Sequence, residues 1–167
     1  EKPEKDAPSN WINAGCYALS PEIFDYIPAD RKVSIEREVY PVIASQEKLY
    51  GYRYTGKWID IGVPADYLRA DKMLSDKPTV GKGTIVGTNT EITDSIIWNH
   101  TSVGSGTIIE NSVIGSNCTI GNNVRITNAV IADNVRVEDL LVIAKGTKIW
   151  PNKHIEASIH SQNTEIN

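Results

Sequence analysis

The 167-residue sequence predicts an α/β segment followed by a parallel β-helix, and two observations separate them. From Val80 onward the chain is built of short aliphatic residues, Gly, Asn, Ser and Thr, and these recur with a fixed period of 17 residues. Residues 1–75 instead mix helix starts with alternating, tyrosine-rich stretches and carry no repeat. The boundaries that follow are 1–75 for the α/β segment, 76–79 for a linker, 80–157 for the coils and 158–167 for a tail.

Taken in chain order, Asn13 to Leu19 is a strand candidate. Ser20-Pro21-Glu22 is a helix start, with Ser at the N-cap and Pro at the first helical position, leading into Ile23, Phe24 and Ile27. Ile35, Val39, Val42 and Ile43 have helical spacing behind Ser34. Tyr50, Tyr52 and Tyr54 alternate with Gly51 and Arg53 as a strand does. The next stretch, Gly56-Lys57-Trp58-Ile59-Asp60-Ile61-Gly62-Val63-Pro64, sets an acid between two isoleucines. A carboxylate in an apolar strand calls for a partner, because an unpaired charge taken from water costs several kcal/mol. Asp60 can cap the helix that Pro64 opens or pair with Arg53 or Lys57. That helix runs through Leu68 and Leu74, and Asp76 to Pro78 ends the segment. The strands are too few for a closed sheet. The chain also begins at Glu1 and has Met73 as its only methionine, so it is expected to be a fragment or a processed chain.

Three aliphatic rows define the coils: Ile97, Ile114 and Ile131; Val86, Val103, Ile120 and Val137; and Ile92, Ile109, Ile126 and Ile143. They interleave at steps of 6, 6 and 5, which describes a triangular coil with one aliphatic side chain per face pointing inward. Stretches such as Val103-Gly-Ser-Gly-Thr-Ile and Ile120-Gly-Asn-Asn-Val-Arg carry the hexapeptide rhythm, with Gly and Asn placed where corners need left-handed backbone. Leu140 to Ile143 is a continuous apolar run, so the register is expected to distort after Val137, with Ile149 and Ile155 closing the stack.

Composition narrows the function. With 40% apolar and 23% charged residues, the chain is globular in character. A net charge of −4 gives no basic footprint for nucleic acid or anionic membrane. No apolar run approaches the roughly 18 residues of a membrane span. Cys16 and Cys118 are too few for a disulfide framework or a zinc site, which points to a reducing, cytoplasmic setting.

Five motifs, in order, resemble the second half of the sugar-1-phosphate nucleotidyltransferases, and among them the mannose-1-phosphate guanylyltransferases. They are Glu1-Lys2-Pro3, Asn13-Ala14-Gly15-Cys16-Tyr17, Ser34 to Pro41, Lys48 to Tyr52, and Trp58 to Leu68. The resemblance implies the C-terminal part of a Rossmann-like nucleotidyltransferase domain followed by a left-handed β-helix. It implies that Glu1 and Lys2 hold the sugar hydroxyls and the sugar phosphate, an ammonium suiting phosphate as a mobile point charge. Asn13 and Gly15 would line the sugar pocket, Asn as an amide that both donates and accepts, Gly where backbone approaches the ligand. Asp60 would hold Mg²⁺ together with an acid from the upstream half. In this family a sugar 1-phosphate oxygen attacks the α-phosphorus of a nucleoside triphosphate and pyrophosphate leaves, so catalysis is positioning plus charge stabilisation. The glycine-rich nucleotide loop of the family is not among these residues, so this chain by itself is expected to be inactive.

Without the family pattern, Glu1 and Lys2 read as a solvated chain end, Asn13 as a turn amide and Trp58 as core packing. Two other functions compete. Hexapeptide β-helices also form acyltransferases that use a histidine as general base, for which His100 is the candidate; His100, His154 and His160 have no acidic partner at a telling spacing. The same two-domain plan also occurs in non-catalytic assembly subunits. The β-helix is expected to be a stability and assembly module that forms a homo-oligomer, with Leu140 to Ile143 as a contact.

Overall fold

The computed structural model describes residues 9–167. The chain divides into two compact units, Glu1–Trp58 and Ile59–Asn167, and each is taken by itself.

In the first unit, Pro21–Tyr26 forms a 3-10 helix behind Ser20, as the Ser-Pro signal predicts, although the Ser20 side chain makes no capping hydrogen bond. The segment behind Ser34 begins as a π-helical turn, Ile35–Val39, and continues as α1, Tyr40–Ser45. Pro41 explains the change of pitch. It has no N–H to continue an α ladder, and the Tyr40 N–H instead bonds the Ile35 carbonyl five residues back. Ser34 secures the start: its Oγ accepts from the Arg37 N–H at 3.4 Å, and its own N–H donates to Glu38 Oε1 at 3.0 Å. That bond first, and Arg31 at 2.7 Å second, hold the Glu38 carboxyl below its ordinary pKa. Val39, Tyr40 and Ile43 are buried here.

Two expected strands are not formed. Asn13 to Leu19 and Tyr50 to Tyr54 carry no regular secondary structure, and the Tyr50 and Tyr52 side chains are almost fully exposed. Alternation marks a face, but a strand also needs a neighbour to complete its ladder. Among the described residues the first unit contains none.

The second unit opens irregularly. Ile59 to Gly62 forms no strand and Asp60 is exposed, so the argument from burial in an apolar strand is corrected: this carboxylate is solvated. Helix α2, Pro64–Leu74, starts at its proline as predicted, but Val63 is the N-cap and no side chain caps the helix. Asp60 therefore does not cap it.

From there the chain coils through strands of two or three residues. β1 (Thr79–Val80), β4 (Ile96–Ile97), β7 (Val113–Ile114), β10 (Val130–Ile131), β13 (Lys148–Ile149) and β15 (Glu165–Ile166) form one face. The second face holds β2 (Ile85–Val86), β5 (Ser102–Val103), β8 (Thr119–Ile120), β11 (Arg136–Val137) and β14 (His154–Ile155). The third holds β3 (Glu91–Thr93), β6 (Ile108–Glu110), β9 (Arg125–Thr127) and β12 (Val142–Ile143). All pairings are parallel, and the register Ile97↔Ile114↔Ile131 reproduces the 17-residue period. The predicted rows point inward and are buried from Ile97 to Ile155. Val86 and Ile92 lie in β2 and β3, which pair on one side only, and stay more exposed.

The corners show why Asn and Gly recur. Each adopts a left-handed backbone, in three series: Gly83, His100, Asn117, Asn134 and Asn152; Asn89, Gly106, Asn123 and Leu140; Asp94, Asn111, Asn128, Gly146 and Asn163. Buried hydroxyls tie successive coils together. Thr101 Oγ1 donates to the Gly115 carbonyl at 2.8 Å and accepts from the Cys118 N–H at 3.1 Å, and Thr107 makes the same two bonds to Gly121 and Val124. A buried polar group so satisfied costs little, which lets the corners stay dry.

The register does change late, though not in the Leu140 to Ile143 run. β12 keeps the 17-residue offset to β9, with Ile126 opposite Ile143. The extra residue falls in the following corner, Ala144 to Thr147, so that Ile131 pairs with Ile149 and Val137 with Ile155 at an offset of 18. The Thr147 hydroxyl closes that wider turn on the Ala144 carbonyl at 2.6 Å. Nor do Ile149 and Ile155 close the stack. Ile159 bridges to Ile143, and β15 pairs with β13, so residues 158–167, expected as a tail, extend the coils. Likewise Thr79, expected in a linker, already lies in β1.

α2 belongs to this unit. Tyr67 stacks on Trp98 with centroids 6.4 Å apart, Lys72 Nζ meets Asp94 Oδ1 at 2.8 Å, and the Thr79 hydroxyl donates to Asp71 at 2.6 Å. Ile96, pointing away from the coil interior beside these contacts, is only 2% exposed.

Candidate functional site

Glu1 and Lys2 lie outside the described residues. The remaining predicted residues of the first unit, Asn13 and Gly15, lie together in one turn. The Gly15 N–H donates to Asn13 Oδ1 at 2.9 Å, closing an Asx turn. Gly15 has φ +69°, a conformation that favours glycine, and the space where a Cβ would stand is open. The Ala14 carbonyl in the same turn accepts from Trp58 Nε1 at 3.2 Å, so Trp58 braces this backbone and is half-exposed rather than core.

The Asn13 amide is held from the other side by two residues without a predicted role. Its Nδ2 donates to Tyr17 Oη at 2.5 Å and to Glu36 Oε1 at 2.9 Å, and the Tyr17 hydroxyl itself donates to Glu36 Oε1. The Glu36 hydrogen bond, more than burial, raises the Tyr17 pKa, so the phenol keeps its proton. Tyr17 in turn sits edge-on to Tyr40, with centroids 4.9 Å apart. Burial raises the pKa of Tyr40, whose hydroxyl has no partner among the described residues. Both Tyr17 and Glu36 occur within motifs visible in the sequence. The spacing Asn13 to Tyr17 hinted at one contact; the distance in sequence from Asn13 to Glu36 hid the other.

In the second unit, the exposed Asp60 carboxylate offers a hard oxygen of the kind Mg²⁺ takes in ones and twos, so it fits one ligand position. Among the described residues no group of three or more His, Cys, Asp or Glu side chains is arranged to hold a metal ion. The second acid that the resemblance implies would come from the upstream half.

The histidines separate clearly. His100 stands on an exposed corner at φ +58°. His160 is exposed. His154 does have acidic neighbours, contrary to the spacing argument: its Nε2 lies 2.6 Å from Glu138 Oε1, and its Nδ1 3.8 Å from Glu156. Glu138 belongs to the coil before, two residues past Arg136, which pairs directly with His154 across the 18-residue offset, so the two side chains meet diagonally. The same carboxylate takes Arg136 Nε at 2.6 Å, and these two partners, Arg136 foremost, lower its pKa to about 2. That is an exposed ion-pair cluster without a cleft. Among the described residues no helix is long and apolar enough to cross a membrane.

Two family models match the chain. Residues 66–166 match the family described as "GMPPB C-terminal domain", and residues 1–77 match "Nucleotidyl transferase". The chain is 49% identical over 73 residues to a probable mannose-1-phosphate guanylyltransferase 3 of Arabidopsis thaliana, a match covering 44% of this chain and 22% of that protein. It is 43% identical over 76 residues to a mannose-1-phosphate guanylyltransferase of Mycobacterium tuberculosis, covering 44% and 21%. Over 68 residues it is 43% identical to a mannose-1-phosphate guanyltransferase of Saccharomyces cerevisiae, covering 41% and 18%. These matches thus span about a fifth of each relative's length.

Proposed function

The chain belongs to the sugar-1-phosphate nucleotidyltransferases that carry a GMPPB C-terminal domain, and from that premise we propose that it supplies the sugar-phosphate side of a mannose-1-phosphate guanylyltransferase. The observation that carries this reading is the Asn13–Gly15 turn. Gly15 leaves its backbone open at a left-handed position, and Asn13 pins that position through its own amide. Such a turn lets a ligand hydroxyl approach main chain without meeting a side chain.

In the proposed reaction a mannose 1-phosphate oxygen attacks the α-phosphorus of GTP in line, and pyrophosphate leaves. Asn13 and Gly15 orient the sugar ring, Glu1 holds its hydroxyls, and Lys2 faces its phosphate, so that the attacking oxygen is presented at one angle. Asp60 is the chain's own contribution to the Mg²⁺ site; the ion, when bound, neutralises charge spreading over the phosphates. The enzyme is proposed to act in the cytoplasm. Support for a β-helix that joins two copies comes from Leu140, 73% exposed on a corner, beside the exposed Val142. Concentration-independent monomers of the complete enzyme by light scattering would refute that association.

The deciding test of the site is Asp60→Asn in the complete enzyme. The swap is nearly isosteric and removes the charge a cation needs, so pyrophosphate release should fall by roughly a hundredfold or more at ordinary Mg²⁺, with the thermal midpoint unchanged. Unchanged turnover and Mg²⁺ dependence would overturn the metal role. The 167-residue chain alone, given GTP and mannose 1-phosphate, should release no pyrophosphate above background.

A further inference from the structure

The Asn13 amide has two N–H donors and two acceptor lone pairs. Both donors are engaged within the first unit, one by Tyr17 Oη and one by Glu36 Oε1, and the Gly15 N–H occupies one lone pair of Oδ1. A single hydrogen-bonding capacity remains, and it is an acceptor. The sequence suggested an amide free to donate and accept; the geometry narrows it. We propose that Glu36 and Tyr17 are positioning residues that hold Asn13 as an acceptor-only contact, reading a hydroxyl hydrogen of the sugar. This rests on Asn13 lining the sugar pocket, as set out above.

The arrangement is well suited to that task. Glu36 Oε1 receives both Asn13 and Tyr17, so rotating the Asn13 amide by half a turn would bring Oδ1 against the carboxylate and break its three hydrogen bonds, to Tyr17, Glu36 and the Gly15 N–H, together. Tyr17 both accepts from Asn13 and donates to Glu36, which closes the ring of contacts. Its own ring is set by the edge contact with the buried Tyr40. The raised Tyr17 pKa keeps the phenolic proton available for that donation. Loss of Glu36 frees the amide to turn its donors toward the ligand, where a hydroxyl presenting its hydrogen is mismatched, and loss of the Tyr17 hydroxyl loosens the same hold by leaving one Asn13 N–H and the Glu36 carboxylate each short of a partner.

The test uses the complete enzyme with mannose 1-phosphate and GTP as probes. Tyr17→Phe keeps the ring packing and removes only the hydroxyl, and Glu36→Ala removes the shared acceptor. Each should raise KM for the sugar phosphate by roughly tenfold while KM for GTP stays unchanged. Glu36→Gln retains an acceptor oxygen and should restore KM to near the starting value. Asn13→Asp places an oxygen against Glu36 and should be at least as damaging as Asn13→Ala. If Asn13→Ala raises KM for the sugar phosphate while Tyr17→Phe and Glu36→Ala do not, the positioning role is overturned and the Asn13 contact stands. If Asn13→Ala itself leaves that KM unchanged, the sugar-pocket reading fails first. A Glu36→Gln enzyme as impaired as Glu36→Ala would also overturn the proposal, because charge rather than acceptance would then be what matters.

Discussion

The two units spend the same kinds of residue differently. In the coils, each aliphatic side chain meets its equivalent one turn away, and buried residues run from Ile97 to Ile155. In the first unit, aromatic side chains as large as Phe24, Tyr50 and Tyr52 face solvent, and the buried set among the described residues is Val39, Tyr40 and Ile43. The difference lies in where the partner of each strand is encoded. A coil carries its own partner 17 residues away, whereas a lone alternating segment depends on a strand elsewhere. Local repetition makes a core self-sufficient; long-range pairing does not.

The sharpest way to break this contrast is to remove one aliphatic side chain from each region. Ile126→Ala, in the fully buried row, should cost about 2–5 kcal/mol and loosen the adjacent coils as well. Phe24→Ala, at an exposed side chain, should stay within about 0.5 kcal/mol. Chemical denaturation of the same chain measures both. Comparable costs would mean that the first unit has a core of equal weight.

A smaller effect is expected at the corners. Asn123 and Leu140 occupy the same series at φ +53° and +63°. A non-glycine residue there loses about 1 kcal/mol, and Asn loses less because its short polar side chain tolerates the region. Leu140→Asn should therefore raise stability by up to about 1 kcal/mol, and Asn123→Leu should lower it by a similar amount. Thermal melts that shift both variants the same way would refute the corner argument.

The smallest effect concerns the surface. The folded-state pKa of Glu138 is about 2 against an ordinary 4.5, lowered by Arg136 and then by His154 from the next coil. A depressed carboxylate contributes above its unfolded pKa, and that contribution is lost as pH falls from about 4.5 toward 2. Glu138→Gln should lower the thermal midpoint slightly at neutral pH and flatten this part of its pH profile, variant and parent converging at the acid end, and the effect is small because the pair is solvent-exposed. An acid limb identical in the variant would show that the cluster does not couple coils.

How much was legible follows the same division. The inward rows, the left-handed corners and the helix opened by Pro64 are local or strictly periodic, and each stood in the sequence as written. The wider corner at Ala144 to Thr147 was misplaced into the preceding run because Leu140 mimics a core residue; Leu141 does pack against the core, whereas Leu140 projects from a corner. The alternating tyrosines predicted a strand because alternation reports a face and not a partner. At the candidate site, Asn13 and Gly15 were visible through the motif they share. Tyr17 and Glu36 acquired a role only when the fold brought Ser34 to Val39 beside the Asn13 turn. Asp60 drew notice for a burial it does not have, so its claim rests on resemblance and chemistry alone.

The wider corner has a practical meaning. One additional residue entered the chain after Ile143, and the faces on either side kept their pairings, Ile126 with Ile143 before it and Ile149 with Ile166 after it. The stack therefore works as a ratchet whose teeth are the faces and whose slack is held in the bends. A graft spliced beside Gly146 would lengthen a bend that has already absorbed such a change, leaving the phase of every tooth intact, whereas one residue added within β9 would turn an aliphatic side chain outward.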